Sequence, residues 1–166
     1  MTSAHGYFEP WDYKYLYDKR EKRGFFKEPE YDSSTIMGVI SGNPNLSLFC
    51  YLTKLAGMDS LLNSSQCDCT VFVVADSYLN ENDVLSFDKY QARKILQYHI
   101  IPKKVRINTI ASRRLVKVDT RLNGQTLFFD TLDGVVKIND SVHILVPDVS
   151  KRNGYVNLVD SLLIPN

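Results

Sequence analysis

Apolar residues fall at helical intervals in the first part of the chain and alternate with polar ones in the last part. A short helix ending at Gly42 can be capped by Ser33 or Ser34. Asn43-Pro44-Asn45 reads as a turn, and Asn45 can cap a second helix with the apolar stripe Leu46, Phe49 and Leu52, joined by Tyr51 and Leu55. Gly57 stops that helix, and a further short turn covers 58–62. Residues 70–74 form an unbroken β-branched and aromatic run, the pattern of a buried strand. Ser86 can cap a helix over 87–98 with Tyr90, Ile95 and Tyr98 facing inward, and Pro102 lies beyond its end. From Leu115 the period becomes two. Val116 and Val118 alternate with Lys117 and Asp119, and Asn123-Gly124, Asp133-Gly134, Asn139-Asp140 and Asn153-Gly154 each mark a turn between strands. Helices followed by a strand meander predict the α+β class.

Two of these runs carry recognisable motifs. Thr70-Val71-Phe72-Val73-Val74-Ala75-Asp76 and the segment from Asn153-Gly154 to Pro165 are both apolar strands that end near an Asp, and Tyr98-His99 lies between them. With Leu122-Asn123-Gly124-Gln125, this order resembles the fasciclin (FAS1) domain family, with its first box, Tyr-His pair, Leu-Asn-Gly-Gln hairpin and second box. The resemblance spans about 34–165. It implies a FAS1-like fold of short N-terminal helices plus an antiparallel β-meander or wedge, and a role in binding and adhesion. The chain departs from the pattern at Val73-Val74-Ala75, where the family reads Ala-Pro-Thr, and at Asn157, where it has His.

Read from the residues themselves, the motif positions are structural. Thr70 and Asp76 flank a buried strand, and Asp76 can cap the turn over 77–79. Asp160 can bind backbone donors in the turn before Leu162. Two strands apolar on both faces belong inside a sheet, with Asn153 and Gly154 turning into the second. His99, after a helix and beside Ile100-Ile101, has the setting of a buried hydrogen-bonded organiser, although the resemblance links the Tyr-His pair to receptor binding in adhesive members.

The first 31 residues differ in kind. They hold Trp11, Tyr13, Tyr15, Tyr17, Phe25 and Phe26 beside the charged stretch Asp18-Lys19-Arg20-Glu21-Lys22-Arg23. A disordered linker is normally poor in aromatics. The alternation at 11–18 has a strand's period, whereas Pro10 and Gly24 would bracket a helix. We therefore read 1–31 as an aromatic docking arm, extended rather than helical, and 32–166 as the FAS1-like domain. Tyr and Trp are the residues expected as interface anchors.

Composition narrows the function. With 20 Lys+Arg against 19 Asp+Glu, the net charge of +1 gives no push toward nucleic acid. The basic stretches Lys103-Lys104-Val105-Arg106 and Arg113-Arg114 read as solvated faces that could meet an acidic partner. No apolar run is long enough to span a membrane, and the N-terminus has no apolar signal core, so synthesis inside the cell is expected unless a signal was removed. Cys50, Cys67 and Cys69 are an odd set, read as reduced thiols, because a Cys67–Cys69 bridge would close a very tight ring.

Chemistry is sparse. The bases His5, His99 and His143 have no nucleophile motif beside them, no phosphate or dinucleotide loop occurs, and no Cys/His spacing completes a metal site. The carboxylates Asp130, Asp133, Asp140 and Asp148 fall in predicted turns. The expectation is a non-enzymatic structural interaction module with no cofactor, no metal and no small-molecule substrate. Its partners would be other proteins of a larger assembly, such as a virus capsid in which small proteins cement shell subunits. The alternative is a secreted or cell-surface adhesion protein, for which Asn45-Leu46-Ser47, Asn63-Ser64-Ser65 and Asn139-Asp140-Ser141 are glycosylation sequons.

Overall fold

The computed structural model describes residues 30–166, so the arm residues Trp11, Tyr13, Tyr15, Tyr17, Phe25 and Phe26 lie outside the described part. Helices come first: α1 (Ile36–Gly42), a 3-10 turn (Pro44–Leu46), α2 (Ser47–Leu55) and α3 (Asp59–Leu62). Strand β1 (Cys69–Val74) follows, then a 3-10 turn (Asp76–Tyr78), α4 (Glu81–Ser86), α5 (Lys89–Tyr98), the two-residue β2 (Ile100–Ile101) and α6 (Ile107–Ile110). The chain closes with β3 (Leu115–Asp119), β4 (Thr126–Leu132), β5 (Val135–Ile138), β6 (Val142–Lys151) and β7 (Gly154–Val159).

The seven strands run in the order β2-β1-β7-β6-β5-β4-β3. From β3 to β7 the pairing is an antiparallel meander turned at Asn123-Gly124, Asp133-Gly134 and Asn139-Asp140 as read from the sequence, whereas the last turn is Arg152-Asn153, with Gly154 already paired to Lys151 as the first residue of β7. Asp133 and Gly134, and likewise Asn139 and Asp140, have the positive φ that tight hairpin turns require. The two box strands pair with each other, β1 parallel to β7 in register from Cys69↔Gly154 to Val74↔Val159. All six residues of β1 are buried, as parallel strands covered on both faces demand. Among the described residues Phe49, Phe72 and Phe129 are the largest fully buried side chains, each contributing about 2–3 kcal/mol through removal from water. The Phe72 and Phe129 rings, 5.9 Å apart, tie β1 to the meander.

Several local expectations are corrected. Thr35, not Ser33 or Ser34, caps α1, its hydroxyl accepting from Gly38 N. Asn43 caps the 3-10 turn before α2, so Asn45 caps nothing. Ser86 does not cap the helix expected over 87–98 but ends the separate helix α4, and the N-cap of α5 is Asp88, whose carboxylate accepts from Gln91 N while the Gln91 side chain accepts from Asp88 N. Tyr90 is exposed, because Ala92, Ile95 and Leu96 set the buried face and Tyr90 lies on the other side, where Lys94 sits 5.3 Å over its ring. Cys67 and Cys69 are not two reduced thiols but a disulfide, with Cα atoms 5.2 Å apart. Asp68 between them has φ 46, and this left-handed bend brings the flanking Cα atoms within the usual bridging range.

Candidate functional site

The motif residues form a bonding network inside the domain. In β1, the Thr70 hydroxyl donates to Lys103 O and accepts from Val105 N, both at 2.8 Å. It thereby ties β1 to the segment running on from β2. Asp76 does not cap its own turn. Its carboxylate reaches back to α2, accepting from Ser47 Oγ at 2.6 Å and Leu48 N at 2.9 Å, where the helix has no other side-chain cap. An acidic group there also meets the positive end of the helix dipole.

Tyr98 and His99 end α5 and point to different neighbours. The Tyr98 hydroxyl donates to Thr126 O and accepts from Asn139 Nδ2, both at 2.9 Å, fixing the helix to β4 and to the β5–β6 turn. His99 is wholly buried. Its Nδ1 donates to Ile95 O at 2.7 Å, its Nε2 accepts from Leu163 N at 3.0 Å, and Phe49 packs edge-on at 5.7 Å. That pair of bonds requires the neutral ring, and burial lowers its pKa from 6.5 to about 4. With Tyr98 at 4% exposure and His99 at 0%, neither side chain can touch a partner while the domain is closed.

The second box is a clasp at both ends. Asn153 Oδ1 accepts from Ile36 N, and its Nδ2 donates to Leu62 O and Ser64 O, joining α1 to the end of α3. Beside it, Arg152 holds Asp32 at 2.8 Å. Hydrogen bonds from Ser34, then from Arg152, lower the Asp32 pKa from 3.8 to about 2. Gly154 has φ 148, and a Cβ there would overlap the Cys69 carbonyl oxygen, so only glycine lets β7 approach β1. Asp160 accepts not from the turn before Leu162 but from His143, at the backbone N (2.9 Å) and at Nδ1 (3.1 Å), closing β7 onto β6.

Two residues outside the expected set complete the network. Asp148, in the β6 bulge with φ 58, accepts from Ile107 N and Asn108 N at the start of α6. Asn157, wholly buried, accepts from Asp148 N at 2.7 Å and so holds the bulge, while its own Nδ2 has no partner. The departure of Asn157 from the family pattern was the available signal. Asp148 gave none, since an Asp in a turn-like stretch has no visible target in sequence.

On the surface, a groove of about 460 Å³ lies between the 102–113 segment and β3. Val105, Ile110 and Val118 are among its apolar lining, and Lys103, Arg113, Lys117 and Asp119 stand exposed around it. The fold thus brings together the two basic stretches and a strand lysine that sequence order keeps apart. Among the described residues no group of three or more His, Cys, Asp or Glu could hold a metal ion, and no helix is long and apolar enough to cross a membrane.

Residues 44–165 match the model of the family described as "Fasciclin domain". Among curated proteins the chain is similar to Protein sll1483 of Synechocystis sp., at 28% identity over 87% of this chain and 82% of that one. It is also 28% identical to Stabilin-2 of Mus musculus over 98 residues, 58% of this chain but 4% of that much longer protein. Among solved structures, the FAS1 domain pair from the insect cell adhesion molecule Fasciclin I shares the fold, with a TM-score of 0.65 at 20% identity over 84% of this chain and 53% of that one.

Proposed function

Because the chain belongs to the fasciclin domain family, we propose that it is a non-enzymatic protein–protein interaction module that docks on its partner through the arm at residues 1–31. Members of the family are generally adhesion and interaction modules without catalytic chemistry. One observation carries the reading: the motif residues are spent on internal hydrogen bonds, so partner contact falls to surfaces outside the motif. Trp11, Tyr13, Tyr15, Tyr17, Phe25 and Phe26 are the densest set of anchor-type side chains there. Cross-linking mass spectrometry of the native full chain tests this. Cross-links to another polypeptide are expected at Lys14, Lys19, Lys22 and Lys27, and partner cross-links confined to lysines of the folded domain would refute the arm.

The setting has two forms. An extracellular adhesion role is favoured by the Cys67–Cys69 disulfide, since such bonds persist in oxidising compartments. A cementing role in a larger assembly such as a virus capsid is favoured by the aromatic arm alone. The intact mass of the native protein separates them: glycans on the sequons support export, and unmodified sequons with reduced Cys67 and Cys69 support the intracellular assembly.

A further inference from the structure

Among the described residues strand β3 ends the sheet and pairs only with β4. Thr131 N donates to Arg114 O and Thr120 N donates to Gln125 O, which fixes the ladder's phase. Residues 114, 116, 118 and 120 turn their backbone groups toward β4, and Leu115, Lys117 and Asp119 turn theirs to the free edge. Among the described residues no hydrogen bond reaches the backbone of those three. An unpaired row of donors and acceptors is a template for another strand. Here that edge borders the groove, whose far wall is held in place by Asp148 at the start of α6.

The groove has ligand-like size, an apolar floor, and rim charges without ion-pair partners among the described residues. Lys103, Arg113 and Lys117 oppose one carboxylate, Asp119, leaving the rim cationic in a chain whose overall charge is nearly balanced. A strand added to β3 would place alternate side chains on opposite sides, one set reaching the floor at Val105, Ile110 and Val118 and the other reaching the rim. The geometry points to this groove as a docking site for an extended segment of a partner protein that alternates apolar with acidic residues and adds to β3 as an antiparallel or parallel strand. Every residue that lines this surface lies within the described residues, outside the sequence of the arm.

The test uses the full chain and a fluorescent synthetic peptide of alternating Val and Glu. Fluorescence anisotropy is expected to show saturable binding. Lys103→Glu/Arg113→Glu/Lys117→Glu should weaken it by at least about 10-fold, whereas Lys104→Glu, outside the groove and paired with Asp68, should leave it unchanged. Lys117→Pro removes an outward N–H without touching the β4 ladder and should weaken binding about 10-fold. The same peptide N-methylated at alternate residues blocks pairing with no change to the protein and should bind as weakly. Absence of saturable binding overturns the proposal, and equal binding of the N-methylated peptide overturns strand addition. Self-association of the unlabelled chain in sedimentation velocity, competed away by the peptide, would make the occupant a second copy and overturn the assignment to a partner protein.

Discussion

His99 makes the stability of this domain depend on pH in a calculable way. The ring is wholly buried and neutral, with its two nitrogens bonded to Ile95 O and Leu163 N. Its pKa is about 4 when folded, against 6.5 for the exposed ring. The folded pKa is the lower one, so the unfolded chain takes up the proton first. The contribution is fully present above pH 6.5 and is lost as pH falls toward 4, because between those values the unfolded state binds more protons. The full shift is worth about 3 kcal/mol, and most of it is gone at pH 4.5. Urea denaturation of the wild type and His99→Gln at pH 7.5 and pH 4.5 isolates this share, since the carboxylates titrate alike in both proteins. The wild type should lose roughly 2–3 kcal/mol more than the variant across that interval. Equal pH dependence in the two proteins would refute the burial and the tautomer assigned to His99.

Three further outcomes follow from the same geometry. Gly154→Ala forces β7 away from β1 and should cost more than about 3 kcal/mol in denaturant titration. Asp148→Ala leaves Ile107 N and Asn108 N without their acceptor and should cost about 1–2 kcal/mol, with faster amide exchange at 107–110 and weaker peptide binding in the groove. Replacing Cys67 and Cys69 together by Ser should cost about 1.6 kcal/mol, the small loop-entropy term of a three-residue ring, and peptide mapping of the unreduced protein should find the segment lighter by the two hydrogens of the bridge.

How much of this was legible depended on the range of the interaction. The box strands and the hairpin turns are local signals, and three of the four dipeptide turns stand where their backbone preference put them, the last being shifted by one residue to Arg152-Asn153 because Gly154 joins β7. Helix α2 kept its apolar stripe, since Phe49 and Leu52 are buried as the spacing required. What stayed hidden is side chains whose partners lie far along the chain. Asp76 caps a helix that starts 29 residues earlier, and Asp160 bonds a residue 17 positions back, so both looked like local caps in sequence. Tyr90 was misplaced because aromatic character suggested burial, while the phase set by Ala92 and Leu96 decided it. The disulfide was missed because the sequence does not show the backbone bend at Asp68, whose φ of 46 sets the Cys67 and Cys69 Cα atoms 5.2 Å apart. The groove required Arg113 and Lys117 to meet Lys103 across a turn of the fold, which charge runs read singly do not reveal.

The central claim is that the motif holds the domain together while partner contact is made outside it. The most direct measurement compares two variants for melting temperature and for cross-linking yield to the native partner. Trp11→Ala/Tyr13→Ala/Tyr15→Ala/Tyr17→Ala should melt like the wild type and lose the partner cross-links. Tyr98→Phe, deprived of its bonds to Thr126 O and Asn139 Nδ2, should melt lower and keep them. Retained cross-links at Lys14, Lys19, Lys22 and Lys27 in the arm variant, or a Tyr98→Phe protein that loses its partner with unchanged melting, would contradict the account.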